Sequence, residues 1–111
     1  MTDSPFYCDL TALTDEQRES YQALIPRMVA TYQGIEDLPN GYRLPFTAGT
    51  EQLLITAEFI SFEKLCCPFL DFSVRVTSNS DQAHLDITGP EGVKDFLQAE
   101  LGGVLQANLD A

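Results

Sequence analysis

Basic residues are scarce in this 111-residue chain, which also has no tryptophan and only one histidine. Six Lys and Arg residues stand against 17 Asp and Glu residues, giving a formal net charge of −11. Such a field repels nucleic-acid phosphates and anionic lipid, so neither nucleic acid nor a membrane is an expected partner. The same field attracts cations, which favours metal ions as partners, although solubility alone also explains an acidic surface.

Long apolar runs and secretion signals are also missing. No stretch reaches the length of a membrane span, and the start MTDSPFYCDL has neither the basic region nor the apolar stretch of a signal peptide. The three cysteines are an odd number, which excludes a closed disulfide framework. We therefore expect a cytoplasmic protein with reduced thiols.

The single histidine limits the chemistry available to the chain. His84 alternates with Leu85 and Ile87 in a strand pattern, so it is expected to point away from the core and into solvent. Asp71 is likewise expected on the outward side of a strand. Without a histidine beside a nucleophile, neither a Cys–His pair nor a serine triad is expected.

The hydrophobic pattern predicts an α+β two-layer sandwich with the element order β-α-β-α-β-β-α. Its four strands, expected at residues 6–11, 42–46, 69–76 and 83–88, form a mainly antiparallel sheet with three helices on one face. The first predicted helix begins at the capping box Thr14–Gln17 and is kinked at Pro26. The second begins at Thr50 and ends at Pro68. The third begins at Gly89-Pro90-Glu91 and ends at Gly102-Gly103. Residues 1–103 are expected to form one domain, and residues 104–111 a frayed tail.

Glu63, Cys66 and Cys67 occur together in EKLCCPFLDF, where the second predicted helix ends. Helical residues three or four positions apart share one side, and neighbours point about 100° apart, so these side chains converge at the helix end. Cys8 alternates with apolar residues of the first predicted strand and is expected to face the helices. Three thiols beside a carboxylate suit a soft ion such as zinc, cadmium, mercury or copper(I). A disulfide between Cys66 and Cys67 is not expected, because it would close a strained ring.

Three functions remain open from these residues. The first is soft-metal binding for sequestration, delivery or sensing, with Cys8, Cys66 and Cys67 as thiolate ligands and Glu63 as a fourth or outer ligand. The second is a thiol enzyme or redox protein with Cys66 or Cys67 as nucleophile, although a helix C-terminus in an acidic chain disfavours the thiolate. The third is a non-enzymatic interaction module whose cysteines fill the core.

Three segments of the chain resemble a group of small bacterial proteins with a Glu-x-x-Cys-Cys-Pro-Phe core: CDLTALT, ISFEKLCCPFLDF and LDITGPEGVKDFL. Similar segments are fused behind metal-responsive regulators of the MerR type or encoded near heavy-metal resistance functions. The resemblance covers most of the chain and implies an association with metal stress, with Cys8, Glu63, Cys66 and Cys67 as the functional positions. The partners then expected are a metal ion, a metal-responsive regulator or a second copy of the chain.

Overall fold

The computed structural model describes residues 9–99, which form three helices and a four-stranded antiparallel sheet, confirming the predicted α+β class. The strand order is β1-β2-β4-β3, so that β4 is central and β3 lies at one edge. The elements in chain order are α1 (Asp15–Thr31), β1 (Glu36–Leu38), β2 (Gly41–Thr47), α2 (Thr50–Cys66), β3 (Asp71–Val76), β4 (Gln82–Thr88) and α3 (Val93–Leu97).

α1 begins at the capping box that the sequence predicts. The Thr14 hydroxyl accepts a hydrogen bond from the backbone N–H of Gln17 at 3.1 Å, and the Gln17 side chain accepts from the N–H of Thr14 at 2.8 Å. Two donors of the first turn are thereby satisfied. The helix continues through Pro26, which lies on the exposed side, while Leu24 and Met28 face the core.

One face of the sheet carries the core. Four side chains on this face are at most 2% exposed: Leu44 and Phe46 of β2, and Leu85 and Ile87 of β4. The buried apolar side chains of all three helices belong to the same cluster. His84 alternates with these residues on the opposite face, as predicted. The helices and the core face of the sheet therefore form two layers around one core.

The strand predicted at residues 6–11 is not confirmed. Residues 1–8 lie outside the described residues, and Leu10–Ala12 form a short 3-10 helix. The Asp9 carboxylate accepts the backbone N–H of Thr11 at 3.0 Å, a local bond that favours a turn over an extended strand. The fourth strand of the sheet is instead β1, which forms a tight hairpin with β2. Three residues are too few for an alternating pattern to reveal.

α3 begins at Val93, later than the predicted start at Gly89-Pro90-Glu91. Gly92 has a φ of 91°, a left-handed conformation that interrupts the helix before Val93. The N–H of Val93 bonds the carbonyl oxygen of Pro90 at 3.0 Å, so the preceding residues form a turn. The predicted helix end at Gly102-Gly103 and the predicted tail 104–111 lie outside the described residues.

Candidate metal site

Three of the four predicted ligands converge at the C-terminal end of α2. The Glu63 carboxylate and the sulfurs of Cys66 and Cys67 all lie within 4.8 Å of one another. Glu63 and Cys66 belong to the last turn of the helix, and Cys67 is its C-cap. The spacing of the three residues along a helix therefore brings their side chains together as predicted.

Backbone hydrogen bonds hold this helix end in place. The carbonyl oxygen of Glu63 accepts the N–H of Cys67 at 2.6 Å, and that of Cys66 accepts the N–H of Asp9 at 2.9 Å. The carbonyl oxygen of Cys67 accepts the N–H of Leu70 at 3.2 Å. The last carbonyls of a helix have no partner within it, and here the N–H groups of Asp9 and Leu70 supply the bonds to Cys66 and Cys67.

All three side chains of the group are buried. Glu63 is 4% exposed, Cys66 1% and Cys67 0%. Free cysteines are commonly buried, but an ionised carboxylate is costly to bury unless it is hydrogen-bonded, paired or bound to a metal. The buried Glu63 carboxylate therefore needs compensating contacts, and a metal ion bound between it and the two sulfurs is one way to supply them.

Tyr21 of α1 also belongs to the site, although it is not among the residues that the sequence predicts there. Its hydroxyl donates a hydrogen bond to Glu63 Oε1, and its ring packs edge-on against Phe62 with centroids 5.9 Å apart. A donor of this kind stabilises and orients a carboxylate. Because 42 residues separate Tyr21 from Glu63, no local pattern in the sequence signals the contact.

The two neighbouring cysteines differ in oxidation state. Cys67 is disulfide-bonded, whereas Cys66 forms no disulfide. The prediction that the neighbours are not bonded to each other is confirmed, and the expectation of reduced thiols is wrong for Cys67. An odd cysteine count excludes complete pairing but still permits one bond.

The remaining candidates lie elsewhere. Cys8 is outside the described residues, so its predicted place in the site stays a prediction. His84 lies on the outer face of the sheet, 3.9 Å from the Asp86 carboxylate, and Asp71 is exposed at the start of β3. Neither His84 nor Asp71 belongs to the group around Glu63.

The spacing of the group is close to that of a metal site. Ligand atoms around a four-coordinate zinc lie roughly 3.3–3.8 Å apart, given metal–ligand distances of about 2.0–2.3 Å. The ligand atoms here all lie within 4.8 Å of one another, a limit about 1 Å above that range. A disulfide sulfur is not a thiolate, so full coordination also requires that the bond at Cys67 be reduced.

Comparison of the chain with protein-family models, with curated proteins and with solved structures found no match. A search of residues 9–99 for a membrane-spanning helix found none that is both long and apolar enough. The functional argument therefore depends on the geometry at the end of α2.

Proposed function

We propose that this protein binds one soft metal ion through Cys66, Cys67, Glu63 and Cys8 when its thiols are reduced. The observation that carries the proposal is the buried Glu63 carboxylate within 4.8 Å of two buried cysteine sulfurs. Thiolates select soft ions such as zinc, cadmium, mercury(II) and copper(I), and a bound cation compensates for burying the carboxylate. The resemblance to segments associated with metal-responsive regulators supports a role in sequestering, delivering or sensing the ion.

Cys8 is the third thiolate in this proposal. It precedes Asp9, whose backbone N–H bonds the carbonyl oxygen of Cys66 at 2.9 Å, so chain connectivity supports a short path from Cys8 to the end of α2. Because Cys67 is disulfide-bonded, oxidation and metal binding compete for its sulfur.

Titration of the reduced, metal-free protein with cadmium tests the proposal. Calorimetry and the ultraviolet thiolate-to-metal charge-transfer band should report one ion per chain, with proton release as the thiols ionise. Cys66→Ser and Cys67→Ser should each weaken binding by about a hundredfold or more, because a ligand is lost. The oxidised wild-type protein should bind far more weakly than the reduced one, since its disulfide sulfurs are not thiolates.

Glu63→Gln and its matched control separate the role of the carboxylate from that of charge alone. Glu63→Gln should weaken binding about ten- to a hundredfold. Glu58→Gln, which removes the same charge from the same helix outside the site, should leave the affinity unchanged. Wild-type affinity in both cysteine variants would show that these residues hold no metal.

A thiol-redox function is the second candidate, and the disulfide bond at Cys67, next to a second cysteine, favours it. In that function a dithiol reductant of a partner supplies two electrons and two protons to the disulfide and is itself oxidised to a disulfide. A redox titration against defined dithiol–disulfide buffers measures the reduction potential. A potential near that of catalytic thiol proteins, without metal binding, would favour this function over the first.

A further inference from the structure

The edge strand β3 carries a strip of apolar side chains that the helices leave uncovered. Three side chains of β3 lie opposite buried residues of β4 and therefore share the core side of the sheet: Phe72, Val74 and Val76. Phe72 packs against Phe59 of α2 with ring centroids 6.2 Å apart. Val74 and Val76, by contrast, are 41% and 54% exposed. The layer of helices therefore stops at Phe72.

The backbone of the same strand is available for pairing. β3 pairs with β4 on one side, and no strand within residues 9–99 pairs with its other side. A free strand edge presents N–H and C=O groups that another strand can pair. The sequence of β3, DFSVRV, contains no lysine or proline, the residues that most often block such an edge. The strand thus offers both an apolar strip and open hydrogen-bonding groups.

The outer side of β3 carries charges that complement themselves in an antiparallel pair. Asp71, Ser73 and Arg75 alternate on this side. A two-fold axis at Ser73 places Asp71 of each copy opposite Arg75 of the other, which gives two pairs of opposite charge. An axis at Val74 places Asp71 opposite Thr77 and gives no such pair. A two-fold axis that passes between two neighbouring residues is excluded, because that register would place apolar side chains of one copy opposite polar side chains of the other.

We propose that β3 is a homodimer interface at which two copies pair antiparallel about Ser73 and join their sheets. The pairing places Val74 of one copy opposite Phe72 of the second copy, and Val76 opposite its Leu70, so the apolar strip and the free edge are covered together. The interface is isologous, as expected for a two-fold dimer. An open groove of about 430 Å³ between α2 and β3 extends this surface, and its lining residues are Ile60, Lys64, Pro68, Leu70, Asp71 and Phe72.

Sedimentation equilibrium of the full chain, with and without reductant, tests the interface. The wild-type chain is expected to dimerise under both conditions. Arg75→Asp replaces two attractive pairs with two repulsive ones and should weaken association about tenfold or more. The Asp71→Arg/Arg75→Asp double variant exchanges the charges and keeps the net charge, so it should restore the association constant to within about threefold of wild type.

Two further variants control for net charge and for the apolar strip. Arg27→Asp on the exposed side of α1 makes the same change in net charge away from β3 and should leave association unchanged. Val74→Lys places a charge in the apolar strip and should abolish the dimer. Circular dichroism with thermal unfolding checks that each variant still folds. A wild-type monomer, a dimer that reductant dissociates, or a dimer that the charge exchange fails to restore would each overturn the proposal.

Discussion

At the scale of single residues, the Tyr21 hydroxyl connects two helices through the carboxylate of Glu63. Tyr21 belongs to α1 and Glu63 to the last turn of α2, so their hydrogen bond fixes the carboxylate relative to the two cysteines. Loss of a group that orients a metal ligand in this way typically lowers metal affinity by about ten- to a hundredfold. Tyr21 is therefore a positioning residue in the proposed site.

Tyr21→Phe removes this hydroxyl and keeps the ring that packs against Phe62. Cadmium affinity of the reduced protein should fall about tenfold or more, because the Glu63 carboxylate loses its orienting donor. Tyr42→Phe is the matched control: Tyr42 lies 4.9 Å from the Lys94 ammonium on another part of the surface. Equal affinities for the Tyr21→Phe variant and the wild type, measured by calorimetry, would remove Tyr21 from the site.

The sequence predicts the three residues that converge at the end of α2 and misses Tyr21 for a physical reason. Glu63, Cys66 and Cys67 lie within one turn of a helix, so their convergence depends only on helical geometry. Tyr21 reaches Glu63 through the packing of α1 on α2, which residue spacing does not encode. The disulfide at Cys67 is likewise a tertiary feature, and cysteine counting leaves its existence open.

At the scale of elements, the close approach of β2 and β4 depends on Gly41. A Cβ atom at Gly41 would lie 1.9 Å from the carbonyl oxygen of Ile87, a backbone atom that cannot move aside without disturbing the sheet. Gly41 opposes Thr88 at the end of this pairing, beside the hairpin with β1. Glycine is therefore required at Gly41 by the space between two strands rather than by an unusual φ.

Gly41→Ala should lower the free energy of unfolding by about 2 kcal/mol or more, because the strands must separate to admit the methyl group. Gly34→Ala provides the control, since a Cβ atom there meets nothing within 4 Å. That substitution should be neutral or stabilise by up to about 1 kcal/mol through the unfolded chain. Urea unfolding of both variants gives the comparison, and similar losses in the two would contradict the close approach.

Elements with strong local signals are predicted well, and elements defined by their neighbours are not. α1 has a capping box, α2 ends before Pro68, and the alternation of β3 and β4 predicts their hairpin. β1 is only three residues long and depends on its pairing with β2. The strand order places β2 beside β4, an arrangement that long-range packing decides and no local pattern contains.

At the scale of the whole molecule, 17 acidic residues outnumber six Lys and Arg residues, so few carboxylates can pair with a basic side chain. Arg43 of β2 faces Asp86 of β4 across the outer side of the sheet, with guanidinium nitrogens 2.8 Å and 3.0 Å from the two carboxylate oxygens. The hydrogen bond from Arg43 lowers the pKa of Asp86, although partial burial opposes the shift. The charge of Arg43 lowers the pKa of Asp86 further, and the nearby His84 adds a smaller effect in the same direction.

A carboxylate whose pKa is lower in the folded state stabilises the protein above the pKa of the unfolded chain, about 4 for Asp. This contribution should disappear as the pH falls through the lower folded-state pKa of Asp86, because the proton then binds both states. Arg43→Gln should therefore unfold in less urea than wild type at pH 7, and the difference should shrink steadily below about pH 4. His84→Ala is the control, since it retains the Arg43 pair and should keep most of the wild-type acid dependence. A difference between Arg43→Gln and wild type that is unchanged from neutral to strongly acidic pH would show that the pair does not link proton binding to folding.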